Sequence, residues 1–161
     1  MGAKVQVPIG RFSVTQPHLA PPGTLLIRHT QYDRPPLLIC GTSDNKSYVQ
    51  FGEMGKSGFI LSRMAINMGP YLAVDKFEVT VDPDKIISPM QRDIPIGAFC
   101  LIGGRPMLAV AENHATSFVA LDGEIEGIPP FDRLVAFASW RICVVDGDER
   151  YVVHEADLAA A

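Results

Sequence analysis

The chain has few of the residues that would commit it to a recognisable chemistry. Three cysteines, Cys40, Cys100 and Cys143, are spread over 161 residues. An odd, widely spaced set neither builds a disulfide framework nor matches zinc-ligand spacing. Cys40 and Cys100 sit in apolar runs, which suits buried, reduced thiols. No apolar stretch is long enough for a membrane span. The opening M-G-A-K-V-Q-V-P lacks the apolar core of a signal peptide, and Gln6 stands where a myristoylation signal needs Ser or Thr. The expected location is therefore the cytoplasm, with no membrane partner. Basic clusters are missing as well. The net charge is −4, and Lys56, Arg63, Arg141 and Arg150 stand alone among acids, which disfavours nucleic-acid binding.

What the chain does have is turn chemistry: 14 glycines and 13 prolines. Such a composition favours many short strands over long helices. A chain this long buries about two-thirds of its unfolded surface on folding and needs no metal or disulfide to do so. Runs over 24–29, 37–41, 47–51 and 59–63 read as strands, although 58–68 also fits one short helix. The stretch 71–82 reads as a long strand with an irregularity near Asp75. Beyond it Phe77, Val79 and Val81 share one face and Lys76, Glu78 and Thr80 the other. Runs over 98–102 and 107–111 flank Gly103-Gly104, a hairpin signal. Strands at 117–121 and 134–145 follow, the latter with Leu134, Ala136, Ala138, Trp140, Ile142 and Val144 on one face. Asp146 to Glu149 turns the chain into 151–154, and the tail frays or adds a helical turn.

Residues 1–22 read as an extended arm. Pro8, Pro17, Pro21 and Pro22 interrupt it, while Val5, Val7, Ile9, Phe12 and Val14 recur at mostly two-residue spacing. Such a segment pairs with its own sheet as an edge strand or adds to a partner's sheet, and these five residues are the candidate partner-binding set.

The two halves also resemble each other. With two single-residue gaps, Arg34, Pro35, Leu37, Ser47, Val49, Gly52 and Glu53 match Arg105, Pro106, Leu108, Ser117, Val119, Gly123 and Glu124. Ile39 then faces Val110, Tyr48 faces Phe118 and Phe51 faces Leu121. Gly23 and Gly97 precede the matched stretches, and Phe77, Val79 and Val81 parallel Trp140, Ile142 and Val144. One meander cannot bury its apolar face alone, whereas two packed together can. The expected fold is all-β: a pseudo-symmetric sandwich or tandem small barrels from an internal duplication. The arm occupies 1–22, the repeats 23–90 and 94–155, and the tail 156–161.

Each local motif has a plainer explanation. Gly52-Glu53-Met54-Gly55-Lys56-Ser57 ends like a phosphate loop, but the first glycine of that motif would fall on Gln50, and no parallel α/β context surrounds it. A glycine-rich turn suffices. His18, His29, His114 and His154 show no metal spacing. A triad from His29, Asp33 and Cys40 has nothing to position it. Asp122, Glu124, Glu126 and Asp132 form the densest acidic cluster, which reads as a solvated strand end rather than a calcium loop. No catalytic, metal or cofactor residue is assigned.

The stretch 96–126 contains a glycine-led strand, Ile102-Gly103-Gly104, a strand with Val110-Ala111, and Leu121-Asp122-Gly123-Glu124-Ile125. Pro22-Gly23-Thr24-Leu25-Leu26 has a similar pattern. It resembles small phage head-decoration proteins and related virion β-proteins over about a fifth of the chain. The resemblance implies a non-enzymatic capsid or tail accessory that binds a protein partner or itself through its arm, and carries no site residues with it. The alternative is a small-molecule-binding or enzymatic β-barrel with a pocket between the repeats, where His29, His114 and Arg105 would supply polar groups.

Overall fold

A computed structural model describes residues 12–27, 36–51, 59–63, 69–74, 77–87, 94–113, 115–126 and 134–158. The described residues are almost all strand. The order is β1 (Phe12–Thr15), a 3₁₀ turn (Pro17–Leu19), β2 (Leu25–Ile27), β3 (Leu37–Gly41), β4 (Lys46–Gln50), β5 (Ile60–Arg63), β6 (Tyr71–Val74), β7 (Phe77–Val81) and β8 (Ile86–Ile87). Then come β9 (Phe99–Ile102), β10 (Arg105–Glu112), β11 (Ala115–Ala120), β12 (Ile125–Glu126), β13 (Leu134–Phe137), β14 (Ser139–Asp146) and β15 (Glu149–Asp157). Twelve strands form one sheet, and β15-β14-β7 form a second.

The large sheet repeats one pairing order. In the first half it runs β1-β6-β2-β3-β4-β5, and in the second β8-β13-β9-β10-β11-β12. Single hydrogen bonds repeat too. Gly23 N–H donates to Ile39 O at 2.7 Å and Gly97 N–H to Ala109 O at 2.8 Å. In the small sheet β7 and β14 pair antiparallel with Val79 opposite Ile142. Phe77–Val144 and Val81–Trp140 flank that pair, so exchanging the two strands reproduces the register.

The halves interlock. Ala111 N–H on β10 donates to Phe59 O at 2.7 Å, beside the parallel β5–β10 contact. Gly41 N–H on β3 donates to Gly123 O at 2.8 Å. Hydrogen bonds thus run in a circuit β3-β4-β5-β10-β11 and, through the β11–β12 turn, back to β3. Strands of one half satisfy backbone groups of the other, as buried amides require. One central core draws on both halves, including Leu25, Leu38, Val49, Phe59, Phe99, Leu108, Val119, Trp140 and Ile142. That single shared core distinguishes the body from two barrels in tandem. Two outer clusters flank it, one from each half: Leu26, Leu37, Ile39 and Tyr71, and Cys100, Met107, Ala109 and Leu134.

Three expectations need correction. The repeat alignment slips by one residue along β3 and β10. Equivalent hydrogen bonds pair Ile39 with Ala109, not Val110. Leu38 and Leu108 both enter the central core, whereas Leu37 lies in an outer cluster. Next, neither long strand is continuous: 71–82 divides into β6 in one sheet and β7 in the other, and 134–145 breaks at Ala138 and passes between sheets, so Leu134 and Ala136 face an outer cluster while Trp140, Ile142 and Val144 face the centre. Lastly, the tail is strand through Asp157 and turns 3₁₀ only at Leu158, whose N–H donates to Ala138 O at 2.8 Å; 159–161 lie outside the described residues. The ambiguous 58–68 stretch contains β5, and 64–68 lie outside the described residues.

Candidate functional site

The two halves meet at an open groove of about 550 Å³. The β3–β4 turn supplies Gly41, Thr42, Asn45 and Ser47, and the β11–β12 turn supplies Asp122, Glu124 and Ile125. Both walls are stiff. Thr42 and Asn45 exchange backbone hydrogen bonds at 3.2 Å, and the Thr42 hydroxyl accepts the Asn45 N–H at 3.1 Å. On the other wall Gly123 N–H donates to Ala120 O at 2.8 Å, and Asp122 Oδ1 accepts the Glu124 N–H at 3.0 Å. Gly123 has φ +95°, and a Cβ there would lie 2.5 Å from Gly23 N. Only glycine allows the two chain segments to approach this closely.

Arg105 organises the acidic wall. Its guanidinium donates to Glu126 Oε1 at 2.8 Å, to Asp122 Oδ2 at 3.2 Å and to Glu124 Oε2 at 2.5 Å. Asp122, Glu124 and Glu126 therefore converge on a protein cation. The Glu124 backbone N–H, aided by Arg105, holds the Asp122 carboxyl below its ordinary value. The hydrogen bond from Arg105 to Glu124 raises the guanidinium pKa in turn. Asp132 lies outside the described residues.

A second polar centre lies against the core, where Trp140 is buried and His154 half-buried. Trp140 Nε1 donates to Gly97 O at 2.8 Å, and the Phe59 ring packs where Gly97 leaves room. His154 meets the rings of Phe51, Phe59 and Trp140 at centroid distances of 5.1, 5.8 and 5.9 Å. Burial pushes its pKa down from 6.5 to about 4. The β14–β15 register shifts between Ile142 and Cys143, which pair with His154 and Val152. This bulge brings Val153 and His154 to the core together. The expectation of an ordinary strand-end histidine missed this, and no spacing signal in the sequence could have exposed it.

The other candidate residues are dispersed. Val5, Val7 and Ile9 lie outside the described residues, as do His29, Asp33, His114 and the 52–57 glycine-rich segment. Phe12 and Val14 belong to β1, which pairs with β6 of its own chain: Phe12 opposite Val74 and Val14 opposite Leu72. Cys40 is buried in the central core, and burial, reinforced by the charge of Glu112, pushes its thiol up to about 12. That rules it out as a poised nucleophile. No helix among the described residues is long and apolar enough to cross a membrane.

The profile of the family described as "Uncharacterised protein y4lG" matches residues 17–161, nearly the whole chain. The chain belongs to the y4lG family. Neither a curated protein nor a solved structure matches it. The match begins at Pro17, so the 3₁₀ turn, both interlocked halves and β15 lie within the y4lG region, while β1 precedes it.

Proposed function

We propose that this y4lG-family chain is a non-enzymatic structural and interaction module that joins a protein partner or a second copy of itself through its N-terminal strand. The observation that carries the reading is the margin of the large sheet. Strand β1 ends it, and among the described residues it pairs only with β6. Val14 on β1 is 67% exposed and Leu19 just after it 66%. An apolar edge strand invites another chain to pair with it. The resemblance of 96–126 to head-decoration proteins supports a virion accessory role, since that stretch spans the meander β9 to β12. The location that goes with this role is the cytoplasm or a virion.

The repeated pairing order and the exchangeable β7–β14 register support an origin by internal duplication of one meander unit. Light scattering after size exclusion tests the assembly reading. Wild type should run as an oligomer, and Val14→Asp should lower its mass while circular dichroism and melting temperature hold. A wild type that stays monomeric up to about 100 µM, indistinguishable from Val14→Asp, overturns it.

One observation favours a second reading, a small-molecule-binding β-barrel. The groove between the halves has the volume of a metabolite site. Of the polar groups expected there, Arg105 adjoins it through Asp122 and Glu124. A thermal-shift screen in which no metabolite stabilises wild type more than Asn45→Ala sinks this alternative.

A further inference from the structure

We propose that β15 is an acid-released latch: protonation of His154 detaches this C-terminal strand from the core while the interlocked large sheet stays closed.

The geometry isolates both the strand and the histidine. Among the described residues β15 pairs only with β14, so its release breaks one ladder and leaves the circuit through β3 and β10 intact. The bulge beside Ile142 sends His154 into the aromatic cluster. Its Nε2 is fully buried and has no hydrogen-bond partner. A proton placed there finds no acceptor, and the resulting charge finds no counter-ion.

The neighbours on each packed element offer no rescue. Phe51 follows β4, Phe59 precedes β5 and Trp140 lies on β14, and none of them titrates near neutrality. Cys40 on β3, in the same core, stays a neutral thiol. The charge pairs on β15 and its neighbours lie elsewhere, including Lys85 with Asp157 of β15 at 3.2 Å. Arg141 on β14 meets Glu155 at 4.0 Å, and Arg150 on β15 meets Glu78 on β7 at 2.9 Å. Cationic attraction to the ring faces partly offsets the cost but does not supply the missing acceptor.

The direction follows from proton binding. The released strand takes up a proton near the ordinary histidine value, and the docked strand only near 4. Between these values the released state binds more protons, so acid favours it. Docking is fully supported above about pH 6.5 and weakens as pH falls towards 4. The released population should rise about 20-fold at pH 5 and about 100-fold at pH 4 relative to pH 7.

Amide hydrogen exchange on the full chain, corrected for intrinsic rates, provides the test. Between pH 7 and pH 5, β15 should lose about 20-fold of its protection while β3, β4, β10 and β11 keep theirs. His154→Phe should remove that pH dependence. If the variant does not fold, titration of the wild-type His154 ring by NMR decides instead. Unchanged β15 protection at pH 5 would overturn the latch. So would a simultaneous loss across the large sheet, a variant that responds like wild type, or a ring that titrates near 6.5.

Discussion

Gly123→Ala probes the contact that locks the two halves together. The residue has φ +95°, where an L side chain costs about 1–2 kcal/mol. Sterics add to this. The new Cβ would lie 2.5 Å from Gly23 N and 2.8 Å from Pro22 Cβ. Backbone has to move, and the nearest backbone is already committed: Gly23 N–H donates to Ile39 O at 2.7 Å, and Gly41 N–H to Gly123 O at 2.8 Å. Losing or stretching both bonds costs about 1 kcal/mol each. The expected destabilisation is about 3–4 kcal/mol, a large share of the stability of an ordinary domain. Gly147→Ala is the control. Gly147 also has positive φ, +60°, but a Cβ there meets nothing within 4 Å, so only the conformational cost of about 1 kcal/mol remains. Urea unfolding followed by the fluorescence of Trp140, the only tryptophan, reads both variants on one scale. Equal destabilisation of the two variants at unchanged m-value would refute the claim that Gly23 and Gly123 hold the halves together by close approach.

Two further outcomes follow from the charged and thiol groups. In Arg105→Ala the Asp122 carboxyl should titrate at higher pH than in wild type yet stay below its ordinary value, because the Glu124 N–H still holds it. The Asp122 contribution to stability is present above the ordinary carboxylate range and fades as pH falls through its lowered value. Carboxyl NMR titration of both proteins checks this, and an Asp122 that titrates identically in both would contradict the assigned role of Arg105. Cys40 and Cys100, both pushed up to about 12 by burial, should resist a thiol reagent at neutral pH until the protein unfolds. Peptide mapping that finds either one labelled rapidly in the native state would show that the core opens there.

Much of the strand content is legible in residue order alone. The alternation of Phe77, Val79 and Val81 and of Trp140, Ile142 and Val144 marks two strands with one face packed. Gly103-Gly104 marks the β9–β10 hairpin. These features are local, because side-chain period and turn conformation depend on a few adjacent residues.

The register of β3 against β10 is different. Leu37 to Cys40 and Met107 to Val110 are buried on both faces, and a continuous apolar run looks the same when shifted by one residue. Only the hydrogen bonds from Gly23 and Gly97 to the opposing strands set it. The acidic cluster was plain in the sequence, but its convergence on Arg105 depends on the β10–β11 ladder. The inward turn of His154 depends on a bulge against β14. Composition and alternation by themselves determine that this chain forms strands and where it turns. Which half closes the other, and which polar groups end up inside, is decided by long-range backbone pairing, because amide partners distant in sequence leave no periodic trace in it.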